Sequence, residues 1–159
     1  MQTLPPEPCA ANDWLSPHAE RLLSAYRHWT GRSLIGAGAD PVENARALYE
    51  ADFVVLSHDT ASDPRFDYAN LAAQRLFERA WPEIVGLPSR YSAEPLAREE
   101  RERLLEMVAR QGYTDSYSGV RVSASGRRFL VRQATVWNLI APDGTPCGQA
   151  AAFSDWQWL

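Results

Sequence analysis

The side chains with the most chemical potential lie in one short stretch, His58 and Asp59 followed by Asp63 and Asp67. An imidazole beside carboxylates can be drawn as a metal cluster, or as a general base with its orienting carboxylate. The same stretch, Asp59-Thr-Ala-Ser-Asp-Pro64, is rich in turn formers whose carboxylates cap local backbone N–H groups. A histidine at a strand end more often hydrogen-bonds than ligates. His58 and Asp59 are therefore read as a polar cluster, with no metal site and no catalytic residue expected. All 16 basic side chains are arginines, so the lysine of a Schiff base, of a pyridoxal phosphate site or of a phosphate-binding P-loop is ruled out. Cys9 and Cys147 stand far apart, with no CxxC pair and no zinc spacing, which argues against a disulfide framework and a structural zinc.

These residues must be positioned by a chain of 159 residues, 45% apolar and 23% charged, the composition of one soluble domain. Twenty acidic groups against 16 basic ones leave a formal charge of -4, which argues against a nucleic-acid partner. The start lacks a basic-then-apolar leader and no window is apolar enough to span a bilayer, so a cytoplasmic protein with no membrane partner is expected. Residues 1–15, with Pro5, Pro6 and Pro8, read as a loose, flexible lead-in to a single domain over 16–159.

Ser16 and Pro17 open a helix in which Ala19, Leu22, Leu23, Tyr26 and Trp29 recur at helical spacing until Gly31. Asp40-Pro41 opens a second, to about Glu50. Phe53 to His58 is a buried strand, Phe66-Asp67-Tyr68 a very short one, and Asn70 caps a helix carrying Leu71, Ala72, Leu76 and Phe77. From about Pro95 to Gln111 a charged helix turns Leu104, Leu105 and Val108 inward as a solvated cover. Ser116–Val122, Arg128–Ile140 and Cys147–Asp155 read as an antiparallel meander. Alternation along its long middle strand puts Phe129, Val131, Trp137 and Leu139 on one face and Leu130, Ala134, Val136 and Ile140 on the other, so neither face is freely solvated.

The order β-β-α-α-α-β-β-β resembles the PAS fold. Phe66-Asp-Tyr-Ala-Asn70 before an amphipathic helix, and Glu83-Ile-Val-Gly86-Leu-Pro88, are similar to that family's segments. Together with Val55-Leu-Ser-His58, Leu87-Pro-Ser-Arg-Tyr-Ser-Ala-Glu-Pro95, Tyr117-Ser-Gly-Val-Arg121 and Ala134-Thr-Val-Trp-Asn138, the chain resembles a MEKHLA-domain protein over roughly residues 18 to 156. The resemblance implies an α+β fold: a five-stranded antiparallel sheet with helices on one face enclosing a small cavity. The N-terminal helix would pack on the other face or at a dimer interface. The family, found as small bacterial proteins and at the carboxyl end of plant homeodomain-zipper regulators, implies sensing or regulated dimerisation.

Light sensing through a flavin-cysteinyl adduct needs a thiol where Pro88, Ser89 and Arg90 stand, so that chemistry is excluded. Haem is disfavoured, because the helix ending at Gln111 carries no histidine, and no cofactor is expected. Ser57, Gln133 and Thr135, on otherwise apolar strands, either face a ligand or bond internally with Tyr91 or Asn138. Arg90, beside the expected cavity mouth, suits a carboxylate-bearing metabolite, with Glu94 or Asp155 as structural alternatives. Tyr91 and Trp137 complete the expected ligand-binding set, although Trp137, with Phe53, Phe77 and Phe153, also reads as core. Trp14, Trp29, Trp156 and Trp158 would cluster on the outer face, across a homodimer. Three functions follow: a stand-alone sensory module binding a small organic ligand and coupling it to self- or partner association; a ligand-free interaction module; and a small enzyme using His58.

Overall fold

The computed structural model describes residues 3–36, 38–93 and 98–159. Helix α1 (Ser16–Thr30) buries Ala19, Leu22 and Tyr26 of the expected stripe and Ala25 beside them, while Leu23 and Trp29 are half-buried. Leu15, in left-handed backbone at φ 54°, stands at its N-cap where Ser16 was expected, and Gly31 at φ 71° ends it. Helix α2 (Pro41–Tyr49) is capped by Asp40, whose Oδ1 accepts from the Val42 N–H at 2.9 Å.

Strands β1 (Val54–His58) and β2 (Phe66–Ala69) pair antiparallel, followed by α3 (Leu71–Leu76), α4 (Trp81–Ile84) and α5 (Arg98–Gln111). The start of α5 expected near Pro95 lies outside the described residues. Asn70 is the joint of this half: fully buried, it accepts from the N–H groups of Val55 and Ala73 and donates to the carbonyls of Leu48 and Phe53. One side chain thus caps α3 and ties it to β1 and to the end of α2.

Strands β3 (Tyr113–Val122), β4 (Arg128–Ile140) and β5 (Pro146–Phe153) form the expected meander. The sheet runs β2-β1-β5-β4-β3 with every pairing antiparallel, the five-stranded α+β arrangement anticipated. A short sixth strand, β6 (Asp155–Trp158), pairs with the first part of β4.

The long strand does not keep the simple alternation expected of it. Gln133 has a φ of 51°, and the β3–β4 register slips opposite it, between Thr114, Tyr117 and Gly119. The bulge drops one residue from the alternation and reverses the faces beyond it. Phe129 and Val131 consequently share the helix-covered face with Ala134 and Val136, and Phe129 meets Phe77 edge-on at 5.2 Å. Trp137 turns the other way, its indole donating to the Leu22 carbonyl at 3.2 Å and its ring meeting Tyr26 at 5.0 Å. Burying such an indole is worth about 2–3 kcal/mol. Helix α1 of the same chain therefore covers the second face of the sheet.

Residues 3–15, read from the sequence as a loose lead-in, lie against the domain. Trp81 Nε1 donates to the Pro5 carbonyl at 3.0 Å, Tyr49 Oη donates to Glu7 Oε1 at 2.9 Å, and Leu4 sits over Gly86, where a Cβ would approach it to 2.9 Å. Prolines preset an extended path, and the buried Trp81 and Tyr49 donors need its acceptors. The outlying tryptophans occupy three places instead of one cluster. Trp14 lies by Tyr49, Trp29 bonds to the Asn138 carbonyl, and Trp156 and Trp158 surround Phe129. Among the described residues no helix is long and apolar enough to cross a membrane.

Candidate functional site

A cavity of about 80 Å³ lies between the sheet and the helices. Leu56, Phe66, Phe77, Val131, Val136 and Phe153 give it apolar walls, and the side chains of His58, Ser89, Arg101, Tyr117, Arg121 and Gln149 add polar groups. Each is placed by its element. Tyr117 and Arg121 are cross-strand partners of Ala134 and Phe129, residues of the inner face. Arg101 stands three and four residues before Leu104 and Leu105 on α5, in line with the buried stripe.

Both guanidinium groups are held away from water. Arg101 is 7% exposed and its Nη2 donates to Ser89 Oγ. Burial, and then the positive charge of Arg121, pull its pKa down to about 10. Arg121 lies over the Tyr117 ring at 5.2 Å, its Nη1 is buried without a hydrogen-bond partner, and burial lowers its pKa too. Gln149 Nε2 donates to the Leu105 carbonyl and to Asn138 Oδ1, pinning α5 to the sheet, while its Oε1 is buried and unpaired. His58 Nδ1 donates to the Asp59 carbonyl at 2.8 Å, which leaves Nε2 as an acceptor. Burial lowers the His58 pKa, with the nearby positive charge of Arg101 acting in the same direction.

The residues expected to share the cavity are dispersed. Ser57 contributes to its wall, but its hydroxyl points away: it donates to Asp67 Oδ1 and accepts from His18 Nε2 of α1 at 3.0 Å. Trp137 faces α1, and Thr135, two residues before it, shares that face. Gln133 is exposed at the bulge, its N–H donating to Ser118 Oγ. Arg90 forms a two-pronged pair with Asp63 at 3.1 and 3.3 Å and stacks on the exposed Tyr91 ring at 4.4 Å. The pairing weighed with Glu94 lies outside the described residues, and Asp155 is bonded to Arg132. Asp59 caps its own turn, accepting from the N–H groups of Ala61 and Arg65. His58 is the member of the polar cluster that reaches the cavity.

Sequence reasoning passed over Arg101, Arg121, Ser89, Tyr117 and Gln149. One signal was available: Arg101 continues the Leu104, Leu105, Val108 stripe, so α5 carries a cation on the side that faces the sheet. The His18, Ser57 and Asp67 side chains are the types of a hydrolytic triad, but the wiring differs. The carboxylate holds the serine, not the far nitrogen of the imidazole, and Ser57 is 1% exposed. The trio fastens α1 to β1 and β2. Cys9 is exposed outside the cavity, and Cys147 is absent from its lining. Among the described residues, no group of three or more histidine, cysteine, aspartate or glutamate residues is placed to hold a metal ion.

Comparison with known proteins agrees with this architecture. The family model of the MEKHLA domain matches residues 16–158. The homeobox-leucine zipper protein HOX32 of Oryza sativa subsp. indica is 24% identical over 153 residues, 91% of this chain but 17% of that protein. Among solved structures, a PAS domain from Colwellia psychrerythraea superposes with a TM-score of 0.63 at 13% identity, covering 71% of this chain and 93% of that one. An RNA-binding light-oxygen-voltage receptor gives 0.61 at 20% identity, covering 77% and 34%. A fungal light-oxygen-voltage photoreceptor gives 0.58 at 14%, covering 84% and 88%. At these identities the structural likeness establishes the fold.

Proposed function

The chain belongs to the MEKHLA domain family, and from that premise we propose that it works as a PAS-like sensory module: a small organic molecule enters the cavity between sheet and helices and changes how the domain associates with itself or with a partner protein. The observation that carries this reading is the lining of the chamber, in which Arg101, Arg121, Ser89 and Gln149 stand among otherwise apolar walls. Arg121 Nη1 and Gln149 Oε1 are buried without partners. Such groups cost about 1–3 kcal/mol each when left unmet, and a bound ligand would offset that cost. In HOX32 the matched segment is 17% of a homeobox-leucine zipper protein, which suits a regulatory appendage.

A route for the signal accompanies the chamber. Asn138 Nδ2 donates to the Val108 carbonyl of α5 at 2.8 Å, and the backbone carbonyl of the same residue accepts from Trp29 of α1 at 2.9 Å. A ligand that displaces α5 would thereby pull on the helix covering the opposite face. Native mass spectrometry of the purified chain, with light scattering of its oligomeric state before and after the bound molecule is stripped, tests the reading. A retained molecule whose removal shifts the association equilibrium supports it. An empty protein whose association is the same throughout supports instead the ligand-free interaction module.

A further inference from the structure

The lining of the cavity narrows the ligand further, on the footing of the sensory reading above. Arg101 and Arg121 enter the same chamber from α5 and β3. Among the described residues no carboxylate lies within ion-pair distance of either, whereas the more exposed Arg46, Arg90, Arg110 and Arg132 each have one, in Glu50, Asp63, Glu106 and Asp155. The acidic groups are thus placed on surface arginines, and two buried like charges face each other with Ser89 and the Tyr117 ring for company. Two cations in an apolar chamber are costly unless an anion joins them, and a guanidinium fork matches a planar carboxylate. A cavity of about 80 Å³ holds roughly five waters, or an organic molecule of comparable size.

We propose that the occupant is a short-chain carboxylate, its carboxylate held between Arg101 and Arg121 and its apolar end against Phe77, Val131, Val136 and Phe153.

The test is calorimetric titration of the full chain with isobutyrate, with the matched neutral amide isobutyramide, and with inorganic phosphate. Isobutyrate is expected to bind at least about tenfold more tightly than either of the others. Arg101→Met and Arg121→Met should each abolish that advantage, bringing the carboxylate-to-amide affinity ratio to about one. Equal affinity for carboxylate and amide overturns the carboxylate inference and leaves the sensory reading standing. Phosphate binding as tightly as isobutyrate also overturns it, because the apolar end would then contribute nothing. Absence of binding by all three overturns it as well. In that case native mass spectrometry separates the two failures: a retained neutral molecule preserves the sensory reading and an empty chain does not. Should either variant fail to fold, the carboxylate-to-amide ratio of the unsubstituted chain decides alone.

Discussion

Arg121 and the two half-buried histidines, His18 and His58, make the clearest demands at the level of single residues. Replacing an unpaired buried cation by an apolar side chain of similar length removes a desolvation cost. Arg121→Met is therefore expected to raise the melting temperature of the ligand-free chain by about 2–4 °C, measured by scanning calorimetry. An unchanged or lower value would mean that the guanidinium is already well paired. His18 and His58 both have lowered pKa values, burial being the main cause in each. In the unfolded chain they take up protons near pH 6.5, whereas in the fold they stay neutral to lower pH. The unfolded state thus binds more protons below about pH 6.5, and stability falls as the medium is acidified through that window, by up to about 1.4 kcal/mol per pH unit per group. Above it the stabilisation is complete. Denaturant melts between neutral and mildly acidic pH should show this slope, and His58→Asn should flatten it by one group's share.

Among the elements, β4 and the Asn70 joint are the ones whose failure would spread. Gln133 adopts a left-handed backbone that glycine takes without strain, and its side chain is exposed. Gln133→Gly is expected to leave stability unchanged or raise it by up to about 1 kcal/mol, while Gln133→Val should lower it, as read by chemical denaturation. Asn70→Ala would leave the Val55 and Ala73 N–H groups without their side-chain acceptor and take a donor from the carbonyls of Leu48 and Phe53, and should cost about 3 kcal/mol or more in the same measurement. The contrast marks what was legible in the sequence. Asn70, Asp40 and Gly31 were readable because caps act locally, on atoms a few residues away. The inward face of β4 beyond residue 132 was not, because nothing about a glutamine announces a bulge; the register with β3 decides it. That single slip sent Trp137 and Thr135 to the α1 side of the sheet. Arg121 escaped notice for a related reason: its face is defined by a partner strand and not by its own neighbours. Arg101 was visible in the helical period and was overlooked because a charged helix reads as a solvated one.

The molecule as a whole is two apolar layers sharing one sheet. Helix α1 covers one side through Trp137, and Phe77 at the end of α3 together with α5 encloses the chamber on the other. Removing residues 3–30 should bare Trp137 and its neighbours, producing dye-binding apolar surface and self-association by light scattering; a monodisperse, dye-inert product would show that this layer is dispensable. The bond from the Trp29 indole to the Asn138 carbonyl has a practical consequence. Its strength alters the polarity felt by that indole, so the emission maximum of Trp29, isolated as the difference between the parent spectrum and that of Trp29→Phe, is an intrinsic optical gauge of strain passing through the sheet, readable in a cuvette without any added label.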